Sequence, residues 1–327
     1  MRPEGPTATT GDETPVFFDA GGHRLFGIIT SPTVQPVGAA VVTLTAGAMT
    51  TSVGRNQFFV RLCRRLAAAG YHAMRFDYHG LGESEGEIET FRLHEPFVED
   101  LMGALRTLRT RGVNRFVLVG TCFGGRTALS CAPQVDGLEG LAGISVPILD
   151  FEKDDAIATR VALGTMSLGD IARRAVRPHV IRGFLDQGRR RAYRRIAKAE
   201  WRRLTGKAHG ASWRVHPQSA VSLRFLEPLQ SLAQRQVPIL LMYGDQDEEW
   251  RDVQRAAGGP LSDVVAEGRG SIQIVTLSGI LQGFVEVQNQ NAVLERLLGW
   301  LHERVTPRVV GSGQEGDGHG GPIQRAV

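Results

Sequence analysis

The sequence predicts an α/β fold: a mostly parallel central sheet with helices on both faces, interrupted once by a helical insertion. Three observations carry this reading. Apolar, β-branched runs of strand length recur at Ala39–Thr45, Arg115–Gly120, Leu138–Val146 and Val237–Gly244. Segments with apolar residues at helical spacing lie between them. From Pro147 to about Pro228 the strand signals stop, and afterwards they resume. Strands alternating with helices imply parallel pairing through crossover connections.

The elements follow in order. His23–Thr30 reads as a short strand, and Ala39–Thr45 as a buried one. Asn56–Ala69 places Phe58, Leu62 and Leu66 at helical spacing and stops at Gly70, a C-terminal cap. The strand His72–Asp77 runs into a Gly-rich turn, His79–Gly86. Pro96–Arg111 reads as an amphipathic helix ending at Gly112. The strand Arg115–Gly120 runs directly into a helix reaching about Cys131, and Leu138–Val146 follows as a strand. After the insertion come the strands Val237–Gly244 and Ser271–Leu277 and a closing helix, about Asn291–Val305. The expected organisation is a disordered leader (1–15), a core (16–147 and 229–306), a helical cap (148–228) and a disordered tail (307–327).

Composition narrows the function classes. With 327 residues, 42% of them hydrophobic, the chain can bury one sizeable core plus an insertion. No uncharged apolar stretch of about 18 residues occurs, so no membrane span is expected. The first residues lack the apolar centre of a signal peptide, and a cytoplasmic location is expected. Three cysteines, Cys63, Cys122 and Cys131, do not make a disulfide framework. No Cys/His cluster has zinc-ligand spacing, and neither a metal nor another cofactor is expected.

Net charge is only +4, but it is unevenly placed. Residues 171–207 hold thirteen Arg or Lys against two acids, which leaves the remainder net acidic. This basic stretch reads either as a solvated cap surface or as a docking face for an acidic partner, an acyl carrier protein or the phosphates of coenzyme A. It lacks the aromatic interleaving and binding modules of a nucleic-acid protein.

The strongest chemical signal is Gly120-Thr121-Cys122-Phe123-Gly124-Gly125, between a strand and a helix. A nucleophile on a sharp strand-to-helix turn needs small residues two positions to either side, because the backbones there nearly touch. The pattern is G-x-S-x-G with cysteine in place of serine. The helix N-terminus favours a thiolate at Cys122. The competing reading is a buried structural thiol, which suits Cys63 and Cys131 better.

At this motif the sequence resembles the α/β-hydrolase superfamily over about residues 23–150 and 235–305, with the insertion at the family's cap position. Phe76-Asp77-Tyr78-His79-Gly80-Leu81-Gly82-Glu83-Ser84 further resembles the bacterial serine aminopeptidase-like and exosortase-associated hydrolases. The resemblance implies an α/β-hydrolase fold with a catalytic acid after the strand Val237–Tyr243. Gly244-Asp245-Gln246-Asp247 matches the family's G-x-x-D, which assigns Asp247, with Asp245 as the alternative. It implies a histidine after Ser271–Leu277, where the family reads G-x-x-H-G-F. This chain instead has Gly279-Ile280-Leu281-Gln282-Gly283-Phe284. Gln282 can hydrogen-bond Asp247 on one side and Cys122 or substrate on the other, but it cannot move a proton. The oxyanion hole is expected from the amides of Phe123 and Ala48, with Gly47 allowing close approach. Met49, Thr121 and His79 are expected near the pocket. His179, His209 and His216 could overhang it from the insertion, and His302 lies at the far end of the last helix.

These residues point to a small-molecule acyl substrate. Cys122 would attack an ester or thioester and either transfer the acyl group or release it slowly to water, in a bacterial biosynthetic role. A non-covalent lyase or cyclase using the same pocket and a catalytically inactive binding protein are the alternatives.

Overall fold

The computed structural model describes residues 11–47, 50–88, 93–150 and 221–309. The chain divides into two compact units, residues 1–150 with 220–327 and residues 151–219. The second unit lies outside the described residues.

The first unit is built on one eight-stranded sheet. Its strands are β1 (Glu13–Ala20), β2 (His23–Thr30), β3 (Ala40–Leu44), β4 (His72–Phe76), β5 (Phe116–Thr121), β6 (Leu138–Ile144), β7 (Ile239–Gly244) and β8 (Ile272–Leu277). They lie in the order β1-β2-β4-β3-β5-β6-β7-β8. The β1–β2 and β2–β4 pairs are antiparallel, and all others are parallel. Every residue of β3, β5, β6 and β7 is buried. That is why these strands read as unbroken apolar runs rather than alternating ones.

The described helices are α1 (Phe58–Ala68), α2 (Val98–Arg109), α3 (Phe123–Cys131), α4 (Leu223–Gln234), α5 (Glu248–Arg255), α6 (Pro260–Glu267) and α7 (Val287–Trp300). Phe58, Leu62 and Leu66 of α1 and Val293, Leu294 and Leu297 of α7 share one core with Val41, Val117, Ala142 and Leu240 of the sheet. α2, α3 and α4 cover the other face. No described helix is long and apolar enough to cross a membrane.

The structure moves three expected boundaries. β1 begins at Glu13, inside the expected leader. The Glu13 carboxylate takes Arg64 at 2.7 Å and the buried Arg75 at 3.7 Å. Gly21 and Gly22, both at positive φ, turn β1 back onto β2. The core resumes at Val221 rather than at 229, because Phe225, Leu229 and Leu232 of α4 are buried. Pro228 lies inside this helix and does not begin a new region. At the C-terminal end, helical backbone continues past residue 307 to Val309, which is buried and whose carbonyl accepts a hydrogen bond from Arg115.

Candidate active site

In parallel α/β sheets, ligands bind at the carboxyl ends of the strands. β5, β6 and β7 are successive parallel neighbours, so the residues following them share one edge of the sheet.

β5 ends at Thr121 and α3 starts at Phe123, which leaves Cys122 as the whole turn, at φ 47 and ψ −112. A side chain at positive φ is disfavoured unless its surroundings impose it. Here the Cys122 amide donates to the Ile144 carbonyl at 2.9 Å, and its own carbonyl accepts from the Arg126 amide at 3.2 Å. The flanking glycines have no room for a side chain. A Cβ on Gly120 would stand 2.4 Å from the Gly124 carbonyl oxygen, and one on Gly124 would stand 2.3 Å from that of Thr45. Cys122 is half-buried, whereas Cys63 and Cys131 are fully buried. Burial pushes both of those thiols up to about 12. Of the three sulfurs, only that of Cys122 combines a turn position with access.

Asp247 follows β7 and is 1% exposed. Its Oδ2 accepts from the Gly244 amide (2.8 Å) and the Ser145 hydroxyl (2.7 Å). Its Oδ1 accepts from the amides of Leu281 (3.0 Å) and Gln282 (3.1 Å). The carboxylate therefore joins the ends of β6 and β7 to the loop after β8. Asp245 is exposed and accepts from the Gly279 amide.

Gln282 does not make the side-chain contact to Asp247 expected of it. Its backbone amide makes that contact, and its side-chain Nε2 donates to Glu249 Oε1 at 2.6 Å. The reason lies in Asp247, whose oxygens are already taken by three backbone amides and the Ser145 hydroxyl.

Glu249 is the residue missed in the sequence. It sits in the first turn of α5, two positions after Asp247, and is 6% exposed. Burial, with Asp247, Glu248 and Asp252 nearby, pushes its carboxyl up to about 7, while a backbone hydrogen bond opposes the rise. Its Oε2 is buried without a hydrogen-bond partner among the described residues. α5 buries only Glu249 and Val253, so no apolar stripe announced the helix. The available signal was Asp247 followed by Glu248 and Glu249, a helix start with acids in its first turn.

His79 lies at the same sheet edge, after β4, and is committed elsewhere. Its Nδ1 is 2.8 Å from Asp100 Oδ2, and its ring stacks on that of His23. The rings of Phe97 (4.4 Å from His79) and Phe123 (4.9 Å from Phe97) lie in the direction of the turn. His72 begins β4, at the opposite end of the sheet. His302 lies in the helical segment Leu301–Val305 that continues α7.

Among the expected oxyanion residues, Phe123 supplies the first amide of α3, and Gly47 stands at φ 71 in a turn closed by the Thr50 amide. Thr121 is buried at the end of β5. Ala48, Met49, His179, His209, His216 and the basic stretch 171–207 lie outside the described residues.

The site thus offers a half-buried thiol on a strained turn, a saturated aspartate that anchors the neighbouring loop, and a buried glutamate tied to Gln282. Such a set can attack a carbonyl carbon.

Comparisons with known proteins bear on the fold and the family. A search of the curated proteins finds no significant match. An esterase of Pyrococcus furiosus has a similar structure, with TM-score 0.54, 14% identity, and coverage of 90% of this chain and 92% of that one. A proline iminopeptidase of Mycobacterium smegmatis has TM-score 0.51 and 14% identity, covering 90% of this chain and 100% of that one. A haloalkane dehalogenase of Agrobacterium tumefaciens has TM-score 0.51 and 17% identity, covering 91% and 97%. These likenesses establish the fold. The model of the Alpha/beta hydrolase family matches residues 47–276, most of the chain, with Cys122, Asp247 and Glu249 inside the match and Gln282 just beyond it, and the chain belongs to that family.

Proposed function

We propose that this protein is a cysteine-dependent acyl enzyme, in which Cys122 takes the acyl group of an ester or thioester and passes it to a second nucleophile or, slowly, to water. The observation that carries this reading is the Cys122 backbone at φ 47 and ψ −112 between β5 and α3. A strained turn of this kind holds its side chain out at the carboxyl edge of the sheet. A thiol depends less on a neighbouring base for attack than a hydroxyl does, so cysteine suits a site whose histidine position holds glutamine. The Phe123 amide, with a second donor from the turn after β3, would hold the oxyanion.

The structural neighbours include an esterase, a peptidase and a dehalogenase, so the fold leaves the substrate open. The basic stretch 171–207 supports a thioester carried on coenzyme A or an acyl carrier protein, with phosphates available for arginine. A cytoplasmic biosynthetic setting fits such a carrier.

The test is intact-mass spectrometry after incubation with S-phenyl thiobutyrate. A butyryl adduct should appear on the wild type and vanish in Cys122→Ala. Turnover that survives Cys122→Ala would move the reading to non-covalent lyase or cyclase chemistry. Neither adduct nor turnover across a panel of esters and thioesters would mark a binding protein. Gln282→His should shorten the adduct's lifetime by restoring a proton carrier. For a coenzyme A thioester, KM should rise with salt about as steeply as several phosphate contacts require, while KM for S-phenyl thiobutyrate should not.

A further inference from the structure

The family's histidine both accepts and returns a proton, and Gln282 can do neither. The Gln282 side chain donates a hydrogen bond to an ionisable group, Glu249. The link to the nucleophile can be followed across the sheet edge. The Cys122 amide bonds the end of β6 at Ile144, and the next residue, Ser145, bonds Asp247. Asp247 holds the Gln282 amide, and Gln282 holds Glu249. β5 and β7 are two strand spacings apart, about 10 Å, and the turns that carry Cys122 and Glu249 leave from their carboxyl ends.

Glu249 also has an unassigned oxygen. Oε1 takes the Gln282 amide, while Oε2 is buried and without a partner among the described residues. A structural carboxylate has both oxygens satisfied, as Asp247 does.

We propose that Glu249 is the proton acceptor for release of the acyl group from Cys122, with Gln282 holding its carboxylate in place. This rests on the reading of Cys122 as the acylated nucleophile. In the step, Glu249 takes a proton from water as the water oxygen bonds the thioester carbon. The tetrahedral intermediate collapses, the carbon–sulfur bond breaks, and the proton passes from Glu249 to the leaving thiolate. The products are the carboxylic acid and the free thiol. The charged and titratable groups facing Glu249 are Asp247, Glu248 and Asp252, with Tyr243 of β7. Burial first, and then these acids, hold its proton on, so the carboxylate becomes available only as the pH approaches neutrality.

The experiment follows formation and decay of the butyryl adduct from S-phenyl thiobutyrate between pH 5.5 and 8.5. In the wild type, decay should accelerate through about pH 7 and then level off. Glu249→Gln should form the adduct normally and lose it about a hundredfold more slowly, with the pH step gone. Glu249→Asp keeps a carboxylate but draws it back, so it should decay more slowly with a moved midpoint. If Glu249→Gln fails to fold, this second variant decides. Wild-type decay and wild-type pH dependence in the folded variants would overturn the assignment while leaving Cys122 as nucleophile. Absence of any adduct on the wild type would overturn the Cys122 reading and this one with it.

Discussion

At the scale of single residues, the site turns on how two carboxylates differ. Asp247 receives four hydrogen bonds, while Glu249 receives one from a side chain and keeps a bare oxygen. Removing Asp247 would therefore unpair four donors, three of them in buried hydrogen bonds. Asp247→Ala should cost about 3–5 kcal/mol, read as a lower urea midpoint, whatever becomes of the chemistry. Glu249 behaves in the opposite way. Its carboxyl moves from an ordinary 4.5 to about 7 in the folded chain. Below pH 4.5 it is protonated in both states. Above that, the unfolded chain gives up the proton first, so its contribution to stability is lost as the pH rises to about 7. Glu249→Gln removes that dependence. Between pH 4.5 and 7 its stability should gain on the wild type by up to about 3 kcal/mol. Urea midpoints that stay parallel across the range would show that Glu249 is ionised at little cost.

At the scale of elements, the elbow depends on glycine as backbone spacing. α3 sits so close to β3 and β5 that the first methyl group at Gly124 or Gly120 meets carbonyl oxygen rather than a movable side chain. Gly124→Ala should destabilise by about 2–3 kcal/mol and move Cys122, with loss of adduct formation in whatever protein folds. A normal melting temperature together with full acylation would show that the turn can relax. This close contact was legible beforehand, because G-x-C-x-G between a strand and a helix leaves few other arrangements. The fully buried strands were legible for the same reason of composition, and His23–Thr30 runs as expected. α5 was not. It is eight residues long and its buried positions are a glutamate and one valine, too short and too polar to stand out as an apolar stripe.

At the scale of the whole molecule, a buried arginine joins the two ends of the core that flank residues 151–219. Arg126, four positions after Cys122, has a fully buried side chain. It donates to the Pro147 carbonyl (3.1 Å), to Asp150 (2.5 Å) and to Ser222 (3.2 Å), and the Ser222 hydroxyl donates to Asp150 (2.6 Å). Burial pulls the guanidinium down from its ordinary value, and Asp150 opposes that shift. The two changes to this pair should not be equivalent. Asp150→Asn leaves a buried cation short of its counter-charge and should cost about 3 kcal/mol. Arg126→Met fills the space without a charge, leaves a partly solvated carboxylate, and should cost less. Denaturant titrations of both variants check the order, and the reverse order would mean that water reaches Arg126.

The sequence by itself determined the fold class, the elbow with Cys122 and the place of Asp247, because each is written in a local pattern of apolar runs, glycine spacing or turn residues. Only the tertiary structure decided that the Gln282 side chain pairs with Glu249 rather than with Asp247. Hydrogen bonding between side chains from separate loops depends on which donors are already taken. Asp247, filled by amides and a serine hydroxyl from three segments, leaves the glutamine to pair with Glu249, two positions further on.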